Sequence, residues 1–183
     1  MRVFIAIEIP EEIQSKIFHL SENIKDSGVV SGNFVEKSNL HLTLKFLGDI
    51  SEEHLKEIVD SLDKIQFKKF NAQVGELGFF PNESYVKVIH VDLKSRGNEI
   101  MDLHRLIENN LINAKVIKDD REFSTHITLA RVKNIRNKSL FTEKIKKLNL
   151  KKQEFEVDRF SIIKSELTRQ GPVYKKIKEF KLK

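Results

Sequence analysis

Asn39-Leu40-His41-Leu42-Thr43-Leu44-Lys45-Phe46-Leu47-Gly48 is the stretch on which the reading turns, because its His-x-Thr-x frame returns 85 residues later as His126-Ile127-Thr128-Leu129. In both tetrapeptides the second and fourth residues are apolar. Read as strands, such segments send His and Thr to one face and the apolar pair to the other, into a core. The His and Thr of one motif then stand about 6.6 Å apart, close enough to grip one phosphate. The chain has six His and five Thr. A Thr two places after some His is therefore expected about 0.16 times by chance, and two such matches roughly once in a hundred sequences. One copy is weak; the pair is not.

Outward from the motifs, periodicity supplies the scaffold. The opening run Arg2–Ile9 is apolar on both faces and reads as a strand buried on both sides. Pro10 starts a helix with Ile13, Ile17, Leu20 and Ile24 on one stripe. Phe34 to Leu47 reads as extended. Ser51 is a plausible N-cap for a helix carrying Leu55, Ile58, Val59, Leu62 and Ile65. Strands are expected near 70–77 and 84–93, separated by a Phe79-Phe80-Pro81-Asn82-Glu83 turn. A helix over 98–112 turns Ile100, Leu103, Ile107 and Leu111 inward. Then come an extended segment over 123–132, a short helix over 140–148, and strands over 155–164 and 173–182 around Gly171-Pro172. Strand-then-helix units recur without a βαβ rhythm, which favours an α+β sandwich of sheets covered by helices.

The 183 residues suffice for one domain or two small lobes sharing a core. Cys is absent, which excludes disulfides, thiolate metal sites and cysteine nucleophiles. No apolar run reaches membrane-spanning length, and the opening run is too short for a signal sequence, so the cytoplasm is the expected compartment. The formal charge of +6 and a pI near 9.4 suit a polyanionic partner such as RNA. The lysines of the last third read first as solvated surface.

Two imidazoles in one site suit the opening of a cyclic phosphodiester. One neutral ring activates water while one protonated ring hands a proton to the departing ribose oxygen. The two Thr hydroxyls donate to the non-bridging oxygens as charge builds on phosphorus. A lone strand His is more often structural than catalytic, but that reading must hold twice here, in identical frames. Neither motif holds a third metal ligand, no Gly-x-Ser-x-Gly elbow exists, and no Gly-rich phosphate loop exists.

The chain resembles the 2H phosphoesterases, and within them the RNA 2′,3′-cyclic phosphodiesterases, also known as 2′-5′ RNA ligases. The likeness runs through Arg2–Ile7, Asn39–Gly48, Gly78-Phe79-Phe80-Pro81, His126–Val132, Ser165-Glu166-Leu167 and Gly171–Tyr174. Many members place Pro where this chain has Thr125, a change expected to affect strand entry more than chemistry. The resemblance implies a single bilobal α+β domain over 1–183. Its two pseudo-symmetric lobes would each carry an antiparallel sheet covered by helices, with the active-site cleft between them. It implies that His41 is the proton donor to the leaving 3′-oxygen and His126 the proton acceptor from water. The product is then an RNA 2′-phosphomonoester, formed with no metal and no cofactor. The expected partner is RNA with a 2′,3′-cyclic phosphate end, tRNA fragments among the candidates, acted on by a monomer. A 2′-5′ ligase running the step in reverse and a non-catalytic RNA-end-binding module are the alternatives.

Four further residues are candidate substrate ligands. Lys45 continues the parity of His41 and Thr43, which points it either at phosphate or at solvent by the cleft mouth. Arg131 has the opposite parity to His126, so an ion pair is expected for it unless a bulge intervenes. Phe80 offers a ring for base stacking against the commoner reading of core packing. Tyr174 is drawn toward the cleft by the resemblance alone. His19, His54 and His104 fall in helices without a Thr partner, and His90 has no assignment.

Overall fold

The first strand, β1 (Arg2–Glu8), buries five successive side chains, Val3 to Ile7. Val3, Ile5 and Ile7 enter the main core; Phe4 and Ala6 meet Ile163 in a separate small cluster on the opposite face. That second face is the floor of the site described below, which explains an opening run with no polar side. The computed structural model describes every residue except 121, 149 and 170.

The remaining elements are α1 (Glu11–Asp26), β2 (Val30–Phe34), β3 (His41–Asp49), α2 (Glu52–Leu62), β4 (Phe70–Asn82), β5 (Tyr85–Ser95), α3 (Glu99–Leu111), β6 (His126–Ile135), α4 (Lys138–Lys147), β7 (Gln153–Val157), β8 (Arg159–Thr168) and β9 (Gly171–Lys181). Helix α1 starts after Pro10 with Glu11 and Glu12 in its first turn, where carboxylates complement the helix dipole, and it buries the expected Ile13, Ile17, Leu20 and Ile24. Ser51 caps α2 by accepting the His54 backbone N–H at 3.1 Å. Helix α3 buries Ile100, Leu103, Ile107 and Leu111, as its spacing requires.

The strands form one curled antiparallel sheet in the order β7-β4-β5-β6-β3-β1-β8-β9, with β2 also on β6. Its two halves meet where Leu42 of β3 faces Ile127 of β6. From that seam outward the halves match strand for strand: β3-β1-β8-β9 on one side, β6-β5-β4-β7 on the other. The fold is therefore the expected bilobal α+β arrangement, with an antiparallel sheet in each lobe. The lobes also interleave. Strand β4 follows α2 of the first half yet pairs with β5, and β8 follows α4 and β7 yet returns to β1.

Three expectations need correction. The Phe79–Glu83 turn is mostly strand: Phe79 and Phe80 pair with Ile89 and Val88, and the hairpin turns only past Asn82. The strand expected over 155–164 is two, β7 against β4 and β8 against β1, broken at Asp158. The extended segment over 34–47 is likewise divided by a short 3-10 turn at Lys37–Asn39. In each case backbone pairing with a strand distant in sequence decided the outcome, and local composition does not record it.

Candidate active site

Leu42 and Ile127 are fully buried beneath the seam, so the alternating residues His41, Thr43, His126 and Thr128 all face the other way, into one cleft. Continuing the antiparallel register from Leu42 and Ile127 sets His41 toward Thr128 and Thr43 toward His126. The four residues singled out by the duplicated motif are thus brought together by a single strand contact.

Each imidazole is tied down in the same way. His41 Nδ1 donates to the Asn39 carbonyl at 2.7 Å and His126 Nδ1 to the Ser124 carbonyl at 2.9 Å, two residues upstream in both cases. With Nδ1 carrying the proton, Nε2 of each neutral ring is the nitrogen left to accept a proton. The Thr43 hydroxyl sits 2.9 Å from His41 Nε2. Burial is the main reason that both rings are held below their ordinary value of 6.5. For His41 the Asn39 carbonyl and Glu8 push back, while a charge on His126 lowers it further. For His126 the Ser124 carbonyl and Asp92 push back, and Arg131 lowers it.

The acids are the part that the motif did not reveal. Glu8 stands directly across from His41 on β1, and Asp92 directly across from His126 on β5. Glu8 also accepts from Ser161 Oγ at 2.7 Å and pairs with Lys176 at 2.9 Å. A signal for both was present in the sequence. Ile5-Ala6-Ile7-Glu8 and Ile89-His90-Val91-Asp92 share one pattern, an acid closing an apolar strand, 33 and 34 residues before the respective His.

Lys45 must be removed from the list of ligands. Strand β1 pairs Ile5 with Lys45 and Ala6 with Thr43, so Leu44 and Lys45 form a bulge that reverses the parity counted from His41. Lys45 points into the protein at 2% exposure, with Nζ 2.8 Å from Glu108, 3.3 Å from Asp119 and 2.8 Å from the Ile117 carbonyl. Burying an ammonium costs several kcal/mol, and these three acceptors offset that cost.

Strand β6 bulges at the same place relative to its motif, since His90 faces Thr128 while Ile89 faces Ala130. Here the shift turns Arg131 outward to the His126 face, against the expected ion pair. Its charge reaches both His126 and Tyr174. Phe46 is the counterpart of Arg131 in the first half, 61% exposed and 6.2 Å from Phe4. Tyr174 lies edge-on to His41 at 5.4 Å, as the resemblance implied. Phe80 is in the site too, edge-on to His126 at 5.0 Å but stacked on His90 at 4.2 Å. Among the described residues no three His, Asp or Glu side chains are grouped to hold a metal ion, and no helix is long and apolar enough to cross a membrane.

Comparison with known proteins also finds a division in two, along the sequence rather than along the half-sheets. The sequence matches the family described as LigT-like phosphoesterase twice, over residues 7–90 and 91–174. An RNA 2′,3′-cyclic phosphodiesterase of Methanocaldococcus jannaschii is 38% identical over 181 residues, covering 98% of this chain and 100% of that protein. One from Archaeoglobus fulgidus is 32% identical over 183 residues, covering 98% and 99%. In three dimensions, a Thermus thermophilus protein superposes with a TM-score of 0.78 at 25% identity, covering 99% of this chain and 97% of that one. Escherichia coli LigT complexed with 3′-AMP has the same fold, with a TM-score of 0.79 at 23% identity and the same coverage.

Proposed function

The chain belongs to the LigT-like phosphoesterase family, and on that premise we propose that it hydrolyses RNA 2′,3′-cyclic phosphate ends to 2′-phosphomonoesters by paired-histidine catalysis. The observation that carries this reading is the convergence of His41, Thr43, His126 and Thr128 on one cleft at the Leu42–Ile127 seam. The names of the relatives from M. jannaschii and A. fulgidus support the substrate class.

In the proposed step a water attacks phosphorus and gives its proton to His126 Nε2. The bond from phosphorus to the 3′-oxygen breaks, and that oxygen takes a proton from His41 Nε2. Thr43 and Thr128 donate to the non-bridging oxygens, and Arg131 adds positive charge beside them. The more open His126 suits a base that must meet water, and Glu8 across from His41 favours the protonated ring that an acid needs. The assignment of His41 as acid follows the family resemblance. We take the protein to act as a cytoplasmic monomer on RNA fragments, tRNA halves among them.

The test is incubation with a short RNA ending in a 2′,3′-cyclic phosphate, in EDTA and without nucleotide. The product is expected to gain one water in mass and to carry a 2′-phosphate, read by phosphorus NMR. A 3′-phosphate would show that the bond to the 2′-oxygen breaks, against the proposed step. No conversion by the folded protein would turn the reading to ligation or to binding of RNA ends.

A further inference from the structure

The matched halves of the sheet diverge at the position facing the motif threonine. Strand β1 sets Glu8 against His41 and Ala6 against Thr43; β5 sets Asp92 against His126 and His90 against Thr128. The acids correspond, but a methyl group in one half is an imidazole in the other.

His90 is 4% exposed and fills its place closely. Its ring stacks on Phe80 with centroids 4.2 Å apart and planes 18° apart, and it lies 5.2 Å from the His126 ring at 64°. Phe80 closes the triangle at 5.0 Å from His126. His90 Nδ1 is buried and 3.5 Å from Asp92 Oδ1, beyond good hydrogen-bonding distance, with the Val91 backbone the other polar group near the ring. Across the strand pair stands Gly78, where an added Cβ would collide with His90 Cε1 and come within 2.7 Å of Nε2. The bare backbone of Gly78 is what admits the ring.

We propose that His90 is a positioning residue for His126: with Phe80 it shields that ring from water, so that the two motif histidines hold protons unequally. Water removed from one side of an imidazole disfavours the charged form. His90 itself is held below its ordinary value, first by burial and then by the charge of His126, with Asp92 pushing back. The charged groups around it are Asp92 and its neighbour Lys94 at 3.8 Å on β5, and His126 and Arg131 on β6. The facing residues of β4, Gly78 and Phe80, do not titrate. In the first half His41 is flanked by Phe4 at 4.8 Å and Tyr174, neither of which carries charge near neutrality.

The inference rests on the proposed role of His126 as the base, and its test is made on the free protein so that the two can fail separately. The His126 ring is titrated by NMR in the wild type, His90→Ala, His90→Phe and Gly78→Ala, beside the pH profile of kcat/KM on the cyclic phosphate RNA. Removing the ring, or displacing it with a Cβ at position 78, is expected to raise the His126 midpoint by about half a pH unit or more. The acid limb of kcat/KM should follow. His90→Phe keeps a flat ring against Phe80 and is expected to hold the midpoint near the wild-type value. Should His90→Ala fail to fold, Gly78→Ala gives the same reading. A midpoint unmoved in the folded variants, or moved as far by Phe as by Ala, overturns the proposal. A shifted midpoint in a protein that hydrolyses nothing would fault the activity and leave the coupling intact.

Discussion

His41 and His126 are held by the same local device, a carbonyl two residues upstream that accepts a hydrogen bond from Nδ1–H and leaves Nε2 facing the cleft. Both rings lie below 6.5 because they are buried, which fixes the direction of the pH dependence. In the proposed step the rate rises on the acid limb as His126 loses its proton and falls on the basic limb as His41 loses its own. Both midpoints are lowered in the free protein, so kcat/KM should trace a bell whose maximum lies at or below about pH 6.5. A maximum above about pH 8, or a flat profile through neutrality, would contradict paired acid–base catalysis at these residues. Thr43→Ala and Thr128→Ala should each slow turnover by roughly tenfold to a thousandfold, the usual range for losing one donor to transition-state charge. Arg131 is exposed and charge-coupled to the site. Arg131→Gln should raise KM by roughly tenfold and move kcat less; an unchanged KM would place Arg131 outside the substrate contact.

At the scale of the element, the bulges after Thr43 and Thr128 decide what a strand of alternating residues can present. The parity argument holds within each four-residue motif and fails at the next residue in both strands. His41, Thr43, His126 and Thr128 were therefore legible, whereas strict alternation sends both Lys45 and Arg131 to the wrong face, Arg131 being rescued by the bulge allowed for it. Nothing in Leu44-Lys45 or Leu129-Ala130 marks a bulge, since neither pair contains the Gly or Pro that would have flagged one. His90 was not assignable for a related reason. Its significance depends on Phe80 and Gly78 of β4; the sequence reading puts Phe80 in a turn and ends the preceding strand before Gly78. Lys45 has a different use. Its ion pairs tie β3, which carries the first motif, to Glu108 of α3 and to Asp119 in the segment leading to the second. Lys45→Met should destabilise the protein by about 3 kcal/mol, because it leaves the Glu108 carboxylate buried without its partner. KM at a temperature where the variant is folded should stay within about threefold of the wild type. A KM raised tenfold with stability intact would restore Lys45 as a ligand.

For the whole molecule, interleaving makes each lobe depend on the strand that follows the other lobe's helix, and both motifs meet at a single seam. The fold class and most helices were legible from apolar periodicity, because the sequence carries a 3.6-residue stripe wherever a helix covers the sheet. The joining of two half-sheets into one was not, since a strand pairing between residues 85 apart has no local signature. The buried histidines also make the fold itself sensitive to pH. His41, His90, His104 and His126 are all lowered, burial being the first cause in each. The unfolded chain takes up protons near 6.5 and the folded chain resists them. Stability is thus complete above that value and declines as pH falls toward the folded-state values. The melting temperature should fall between about pH 7.5 and about pH 5.5, above the range where the paired carboxylates protonate. His104→Phe, which preserves the stack on Phe123 at 3.9 Å, should lessen that fall. A melting temperature constant or rising on acidification would contradict the buried neutral state of these rings.

The central claim is that the two motifs act as one catalytic unit. It is tested most directly by the rate on 2′,3′-cyclic phosphate RNA of the wild type, His41→Ala, His126→Ala and the double variant, each verified as folded. Each single variant is expected to lose at least a factor of ~100, and the double variant to lose little more than the worse single, because an acid without its base completes no turnover. A single variant that retains activity within about threefold of the wild type, or losses that multiply in the double variant, would contradict it.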